Sequence, residues 1–181
     1  MEFYAGKGAG DKIWELVLSA KSHAYIISPW LGKKEVKGLK ELRNKRVCVK
    51  VVTKEKENNA VKLLETRKID LFIVLIAFLL MGAGITLSVL YRPFVMLIPL
   101  SILLLPFSFK KALPDWVKID EELHAKIYIV DDVVVLSSAN LTSSGRKRNV
   151  EFVLVLRGQE AREVLSQLSP LMERWGLAGR I

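Results

Sequence analysis

The chain has 181 residues, long enough for one ordinary domain and short for two. Its 28 Lys and Arg outnumber 19 Asp and Glu for a net charge of +9, which favours an anionic partner: nucleic acid, phosphate esters or an acidic membrane surface. The single cysteine, Cys48, excludes an internal disulfide and suits a buried thiol in a reducing compartment.

In chain order, the start M-E-F-Y-A-G-K-G lacks the basic and apolar regions of a signal peptide. The glycine-rich G-K-G-A-G-D-K over 6–12 lacks the closing G-K-[S/T] of a phosphate loop and reads as a flexible lead-in. Asp11 caps a helix over Lys12 to Lys21, with Ile13, Leu16, Val17 and Ala20 on one face. A short apolar strand follows from Ala24 and ends at Pro29. Lys33 to Asn44 is a basic helix, Arg46 to Thr53 a buried strand, and Glu57 to Lys68 a further helix with Ala60, Leu63 and Leu64 inward.

From Leu71 to Phe109 the only charge is Arg92. Leu71 to Tyr91 suffices for one bilayer-spanning helix, and Pro93 to Phe109 sits at the lower edge of that length, with kinks at Pro99 and Pro106. The reading is a two-helix transmembrane hairpin over 71–109. Arg67, Lys68, Lys110 and Lys111 flank it, so the positive-inside rule puts both ends in the cytoplasm. The chain then divides into 1–69, an inserted hairpin over 70–110, and 111–181.

Beyond the hairpin, Trp116 to Ile119 is a strand. His124 to Asp131 and Val133 to Ser138 form a tight pair turning at Asp131 and Asp132. Val150 to Leu156 is a strand and Gln159 to Trp175 a closing helix. Alternating strands and helices imply an α/β domain, a sheet flanked by helices.

Side chains alternate along a strand, so His124 and Lys126 share a face, and the returning strand brings Ser138 and Asn140 back beside them. Lysine, serine and asparagine donors suit a tetrahedral oxyanion, and histidine near neutral pH acts as nucleophile or proton shuttle. That set fits attack on a phosphoryl group. No cofactor is called for, and no His or Cys cluster offers a metal site.

H-A-K-I-Y-I-V-D followed by S-S-A-N-L-T resembles the H-x-K-x4-D…G-S-x-N signature of the phospholipase D superfamily, and R-N-V-E-F-V-L-V resembles its following strand. Ser137 stands where glycine is usual, which is expected to narrow the pocket, and the turn after Asp131 is one residue short. The resemblance implies a phospholipase D-like mixed sheet and a metal-independent phosphodiesterase. His124 would form a phosphohistidine or serve as its acid partner. Lys126 and Asn140 would hold phosphate oxygens with help from Ser138, and Glu151 would orient the histidine ring. Asp131 would belong to the same motif set, more as a structural than a catalytic group.

The family mechanism uses two histidines, and His23 lacks the motif around it. The resemblance therefore implies a homodimer with one composite site. Nucleic acid is the favoured substrate, with phospholipid as the alternative and a non-catalytic scaffold for anionic lipid or nucleic acid as the third reading. Arg146, Lys147 and Arg148 are expected to track a nucleic-acid backbone, as are Lys33, Lys34, Lys37 and Lys40 unless they form a solvated helix face. Trp30 either stacks on a base or packs in the core. The hairpin joins a helix end to a strand start, so the site is expected to face the cytoplasm, away from the bilayer.

Overall fold

The computed structural model describes residues 1–54, 59–88, 91–92 and 97–177. The chain opens with β1 (Glu2–Lys7), α1 (Asp11–Leu18), β2 (His23–Ile27), α2 (Lys33–Asn44) and β3 (Cys48–Thr53). After a 3-10 turn over Val61–Leu64 come β4 (Thr66–Ile69), α3 (Leu71–Ser88), α4 (Leu97–Leu104) and β5 (Phe109–Ala112). The last stretch holds β6 (Val117–Ile119), β7 (Ile127–Val130), β8 (Val133–Ser137), α5 (Ser143–Lys147), β9 (Val150–Leu156) and α6 (Gly158–Arg174). Contacts divide these into two units, Met1–Leu64 with Pro114–Ile181, and Glu65–Leu113.

In the first unit seven strands form one mixed sheet in the order β1-β9-β8-β7-β2-β3-β6. β2, β3 and β6 run parallel, while β7 is antiparallel to β2 and opens an antiparallel run through β8 and β9 to β1. The central strands are apolar and β-branched because both faces are covered: every residue of β7 is buried. On one face Tyr25, Ile27, Ile129 and Val134 pack with Ala161, Met172 and Trp175 of the α6 end of the chain. α1 and α2 lie against β7 and β3, and bury Ile13, Val17, Val36 and Leu39.

Three sequence expectations are corrected. The glycine-rich start is not a loose lead-in, because Glu2–Lys7 pairs along β9. Gly6 and Gly8 then take positive φ of 114° and 84° to turn the chain, and a Cβ on Gly10 would stand 2.6 Å from the Gly145 carbonyl oxygen. The helix expected over Glu57 to Lys68 falls partly on 55–58, outside the described residues. The rest is a 3-10 turn and then strand, because pairing Thr66–Ile69 with Phe109–Ala112 overrides local helix preference.

The third correction concerns the apolar insert. α3 and α4 do pack together as a helical pair, and at Gly84 a Cβ would meet the Leu97 and Ile98 side chains at 3.1 Å. Yet α4 spans only eight residues before a 3-10 turn over Leu105–Ser108 carries Pro106. Among the described residues no helix is long and apolar enough to cross a membrane. Asp70 caps this pair: its carboxylate accepts the Phe72 amide at 3.1 Å and meets Lys110 Nζ at 2.6 Å.

Asp131, expected to be more a structural than a catalytic group, lies at the far end of β7 from His124. Its carboxylate accepts the backbone amides of Lys21 and Ser22 at 2.9 Å and of His23 at 3.0 Å, plus the Ser22 hydroxyl at 2.9 Å. Burial raises its pKa, but the amides of His23, Lys21 and Ser22 and the Ser22 hydroxyl outweigh that and lower it to about 2. Asp131→Asn keeps a residue that tolerates the φ of 50° found here. It should destabilise the fold at neutral pH by about 1–2 kcal/mol. The wild-type advantage is complete above the unfolded-chain pKa of about 3.9. It fades as pH falls through about 2, a trend that paired denaturant melts across pH check.

Candidate active site

One edge of the main sheet collects the ends of five strands. β2 and β3 finish there at Ile27 and Thr53, β8 finishes at Ser137, and β7 and β9 begin there. His124 is exposed in the segment entering β7, held down by its neighbour Leu123, which is buried at 3 % exposure in the core. Lys126 donates to the His124 carbonyl at 2.9 Å. Lys54, just past β3, brings its Nζ to 3.4 Å from His124 Nε2.

Asn140 sits in a turn fixed from both sides. Tyr128, fully buried with its pKa pushed up by burial, donates its hydroxyl to the Ala139 carbonyl at 2.7 Å. Ser28 Oγ accepts the Leu141 amide at 3.1 Å, and the Leu141 carbonyl accepts the Gly32 amide at 2.8 Å. Thr142 caps α5 by accepting the Gly145 amide at 3.1 Å. Asn140 Oδ1 is buried with no hydrogen-bond partner in the structure, the state of a polar site that awaits a further hydrogen-bonding group.

Ser138 donates a short hydrogen bond to Glu151 Oε2 and accepts the Phe152 amide at 3.0 Å, while Asn149 donates to Glu151 Oε1 at 3.1 Å. Trp30 follows β2 on the same edge, 41 % exposed, next to Leu31, whose bridge to Leu141 ties this loop to the Asn140 turn. Among the described residues no group of three or more His, Cys, Asp or Glu is placed to hold a metal ion. A nucleophile-bearing imidazole, two ammonium groups, an amide and a hydroxyl at one edge can bind and attack a phosphoryl group.

Residues 107–174 match the family described as "Cardiolipin synthase, PLD-like domain". The fold is similar to that of Nuc from Salmonella typhimurium, a phospholipase D family member, at 18 % identity and a TM-score of 0.57, covering 97 % of this chain and 95 % of that one. The chain has a phospholipase D-like fold. NucT from Helicobacter pylori is similar at 13 % identity and a TM-score of 0.51, over 95 % of this chain and 97 % of that one. TrmBL2, an archaeal chromatin protein, is similar at 12 % identity and a TM-score of 0.51, over 99 % of this chain and 53 % of that one. No curated protein matches the sequence.

In this fold His124, Lys126, Ser138, Asn140, Glu151 and Trp30 come to one sheet edge, and Asp131 does not. Glu151 accepts from Ser138 and Asn149 and has no described bond to the ring of His124. Ser137 does not narrow the site through its hydroxyl, which donates to the Phe152 carbonyl at 2.6 Å and accepts the Ala139 amide at 2.9 Å.

Arg146 is also corrected. Its side chain is 9 % exposed, 3.1 Å from Glu35 and 3.7 Å from Asp11, and it stacks 5.1 Å from the Trp14 ring centre. It therefore holds α1, α2 and α5 together and cannot follow a polyanion. Lys147 and Arg148 are exposed, as are Lys33, Lys34 and Lys37; Lys40 bonds the Leu63 carbonyl.

Sequence reasoning missed Lys54, Tyr128, Ser28 and Gly145. A lysine closing an apolar strand at its carboxyl end was the available signal for Lys54. Gly145 backs the Asn140 turn: a Cβ there would lie 2.5 Å from the Asn140 carbonyl oxygen and 3.1 Å from its amide nitrogen. Gly145→Ala should therefore displace Asn140 and lower turnover by about 100-fold. Steady-state rates beside a thermal melt separate that displacement from unfolding.

Proposed function

We propose that the protein is a metal-independent phosphodiesterase that forms a phosphohistidine at His124, and that its substrate is nucleic acid. The observation that supports this most is the gathering of His124, Lys126, Ser138 and Asn140 at one sheet edge. In the first step the lone pair of His124 Nε2 forms a bond to phosphorus, and the P–O bond to the leaving group breaks. The leaving oxygen takes a proton from His124 of a second copy. In the second step that imidazole takes a proton from water, which attacks phosphorus and releases His124.

A composite homodimeric site follows from the need for two histidines. Phe3, Val150 and Phe152, exposed on one face of β1 and β9, offer an apolar surface next to Ser138 for the second copy. Glu151, which accepts from Ser138 and Asn149, would orient the partner ring.

Exposed Lys147 and Arg148 directly after the motif, exposed Trp30 and the +9 charge support a polyanionic substrate. TrmBL2, similar in fold, is described by its mode of DNA binding. Hydrolysis or transfer on phospholipid headgroups is the second reading. The family description naming cardiolipin synthase supports it, as does the exposed apolar surface of α3, including Leu71, Phe72, Phe78 and Leu79. A helix that exposes so much apolar surface needs a non-aqueous neighbour. We place the α3–α4 pair in the cell membrane, embedded from the cytoplasmic side, with Lys68, Lys110 and Lys111 at the headgroups.

The test offers detergent-solubilised full chain single- and double-stranded DNA, RNA and phospholipid micelles, all with excess EDTA and a His124→Ala control. Nucleic-acid cleavage without headgroup release is expected. Headgroup release alone overturns the substrate assignment, and loss of all activity to EDTA overturns the metal-free mechanism.

A further inference from the structure

Lys54 follows β3, and its backbone is fixed between two loops of the site. Its amide donates to the Pro29 carbonyl at 3.3 Å, and the neighbouring Thr53 hydroxyl donates to the same carbonyl at 3.0 Å. The Thr53 carbonyl in turn accepts the Asp120 amide at 2.9 Å, at the start of the segment that leads to His124. The half-buried Lys54 side chain then extends to 3.4 Å from His124 Nε2.

We propose that Lys54 is a phosphate-binding residue of this site, the cation that holds a non-bridging oxygen beside the attacking nitrogen. The proposal rests on the phosphodiesterase reading above and adds a residue to it. An ammonium group has donors only, so a hydrogen bond from it to Nε2 would use that nitrogen's lone pair and favour the tautomer with the ring proton on Nδ1. That is the tautomer a histidine nucleophile requires at Nε2.

The distances carry the second half. Phosphorus poised for attack lies about 3–3.5 Å from the nucleophilic atom. A cation 3.4 Å from that same atom is within reach of an oxygen bonded to the phosphorus. Lys126 enters with β7 and leans on the His124 carbonyl at 2.9 Å, whereas Lys54 enters from β3, two strands away in the sheet. Two cations on separate strands then hold the phosphoryl group as charge builds on it. Lys54 acts as a hydrogen-bond donor and transfers nothing.

The chain has two histidines, which makes ring 15N resonances a clean readout. The full chain in detergent is titrated with tungstate, a tetrahedral phosphate mimic, and assayed with bis(4-nitrophenyl) phosphate. Lys54→Met should weaken tungstate about tenfold and lower kcat about 100-fold, while KM changes little. It should also shift His124 away from the Nδ1–H tautomer, and Lys54→Arg should restore activity to within about fivefold of wild type. Unchanged tungstate affinity, kcat and tautomer in Lys54→Met would overturn the assignment while leaving the phosphodiesterase reading standing, provided that His124→Ala is inactive. Tungstate binding that depends on Lys54 without turnover of any diester supports Lys54 and overturns the phosphodiesterase reading. A wild-type chain that neither binds tungstate nor cleaves diesters overturns both.

Discussion

On the proposed mechanism, His124→Ala should lower phosphodiester turnover by about 10⁴-fold or more and leave the fold intact. The loss is that large because the nucleophile has no substitute: His23 lies at the opposite end of the sheet, its Nδ1 2.8 Å from the Ser22 hydroxyl. Stability changes little because the His124 side chain is exposed and its one described ring contact is Lys54 at 3.4 Å. The variant also reports on the composite site. If each site uses His124 from two copies, every mixed dimer of wild type and His124→Ala is inactive. An equal mixture that has exchanged subunits then keeps about a quarter of full activity, where an independent site in each chain keeps about half. A rate measured against the wild-type fraction separates a square from a straight line.

Arg146→Ala carries the largest stability effect, a loss of about 3–5 kcal/mol. Glu35 is wholly buried, and Arg146, 3.1 Å away, is the cation that meets it. Removing the guanidinium leaves a carboxylate enclosed by protein, with the Ser143 hydroxyl at 3.3 Å its one hydrogen-bond donor among the described residues. Replacing both partners, Arg146→Met with Glu35→Leu, should recover most of the loss, because no unpaired charge stays buried. Urea melts of the two single variants and the double variant measure the coupling. A residue that tracked a polyanion would instead alter the salt dependence of binding and leave the melt unchanged.

The strands around the site were legible because their residues announce burial on both faces. I-Y-I-V, V-V-V-L-S and V-E-F-V-L-V-L are the observed β7, β8 and β9 within a few residues. The basic helix Lys33–Asn44 and the closing helix were legible through their amphipathic spacing. β1 was hidden because its exposed Phe3 and Ala5 alternate with half-buried Glu2, Tyr4 and Gly6, a weak period beside a run of glycines. β4 was hidden because only its partner, many residues later, makes Thr66–Ile69 extended.

Site residues divide in the same way. His124 and Lys126 precede β7 while Ser138 and Asn140 follow β8, so the pairing of those two strands alone brings them together. Lys54 reaches His124 across a separation of 70 positions, which no local pattern records. R-K-R at 146–148 looked uniformly solvent-facing, but the first position of that run lies on the inner side of α5.

The paired strands β4 and β5 give the insert a property of its own. Thr66 lies opposite Ala112 and Ile69 opposite Phe109, so the chain enters and leaves the apolar helices through one doorway. Cross-strand partners stand about 5 Å apart, a gap that a two-residue Asn-Gly turn closes. The helices thus stand on a paired two-strand stem, and excising residues 70–108 in favour of such a turn should yield a shorter chain that keeps the seven-stranded sheet. Folding of that chain would show that the apolar helices and the sheet are separately heritable parts.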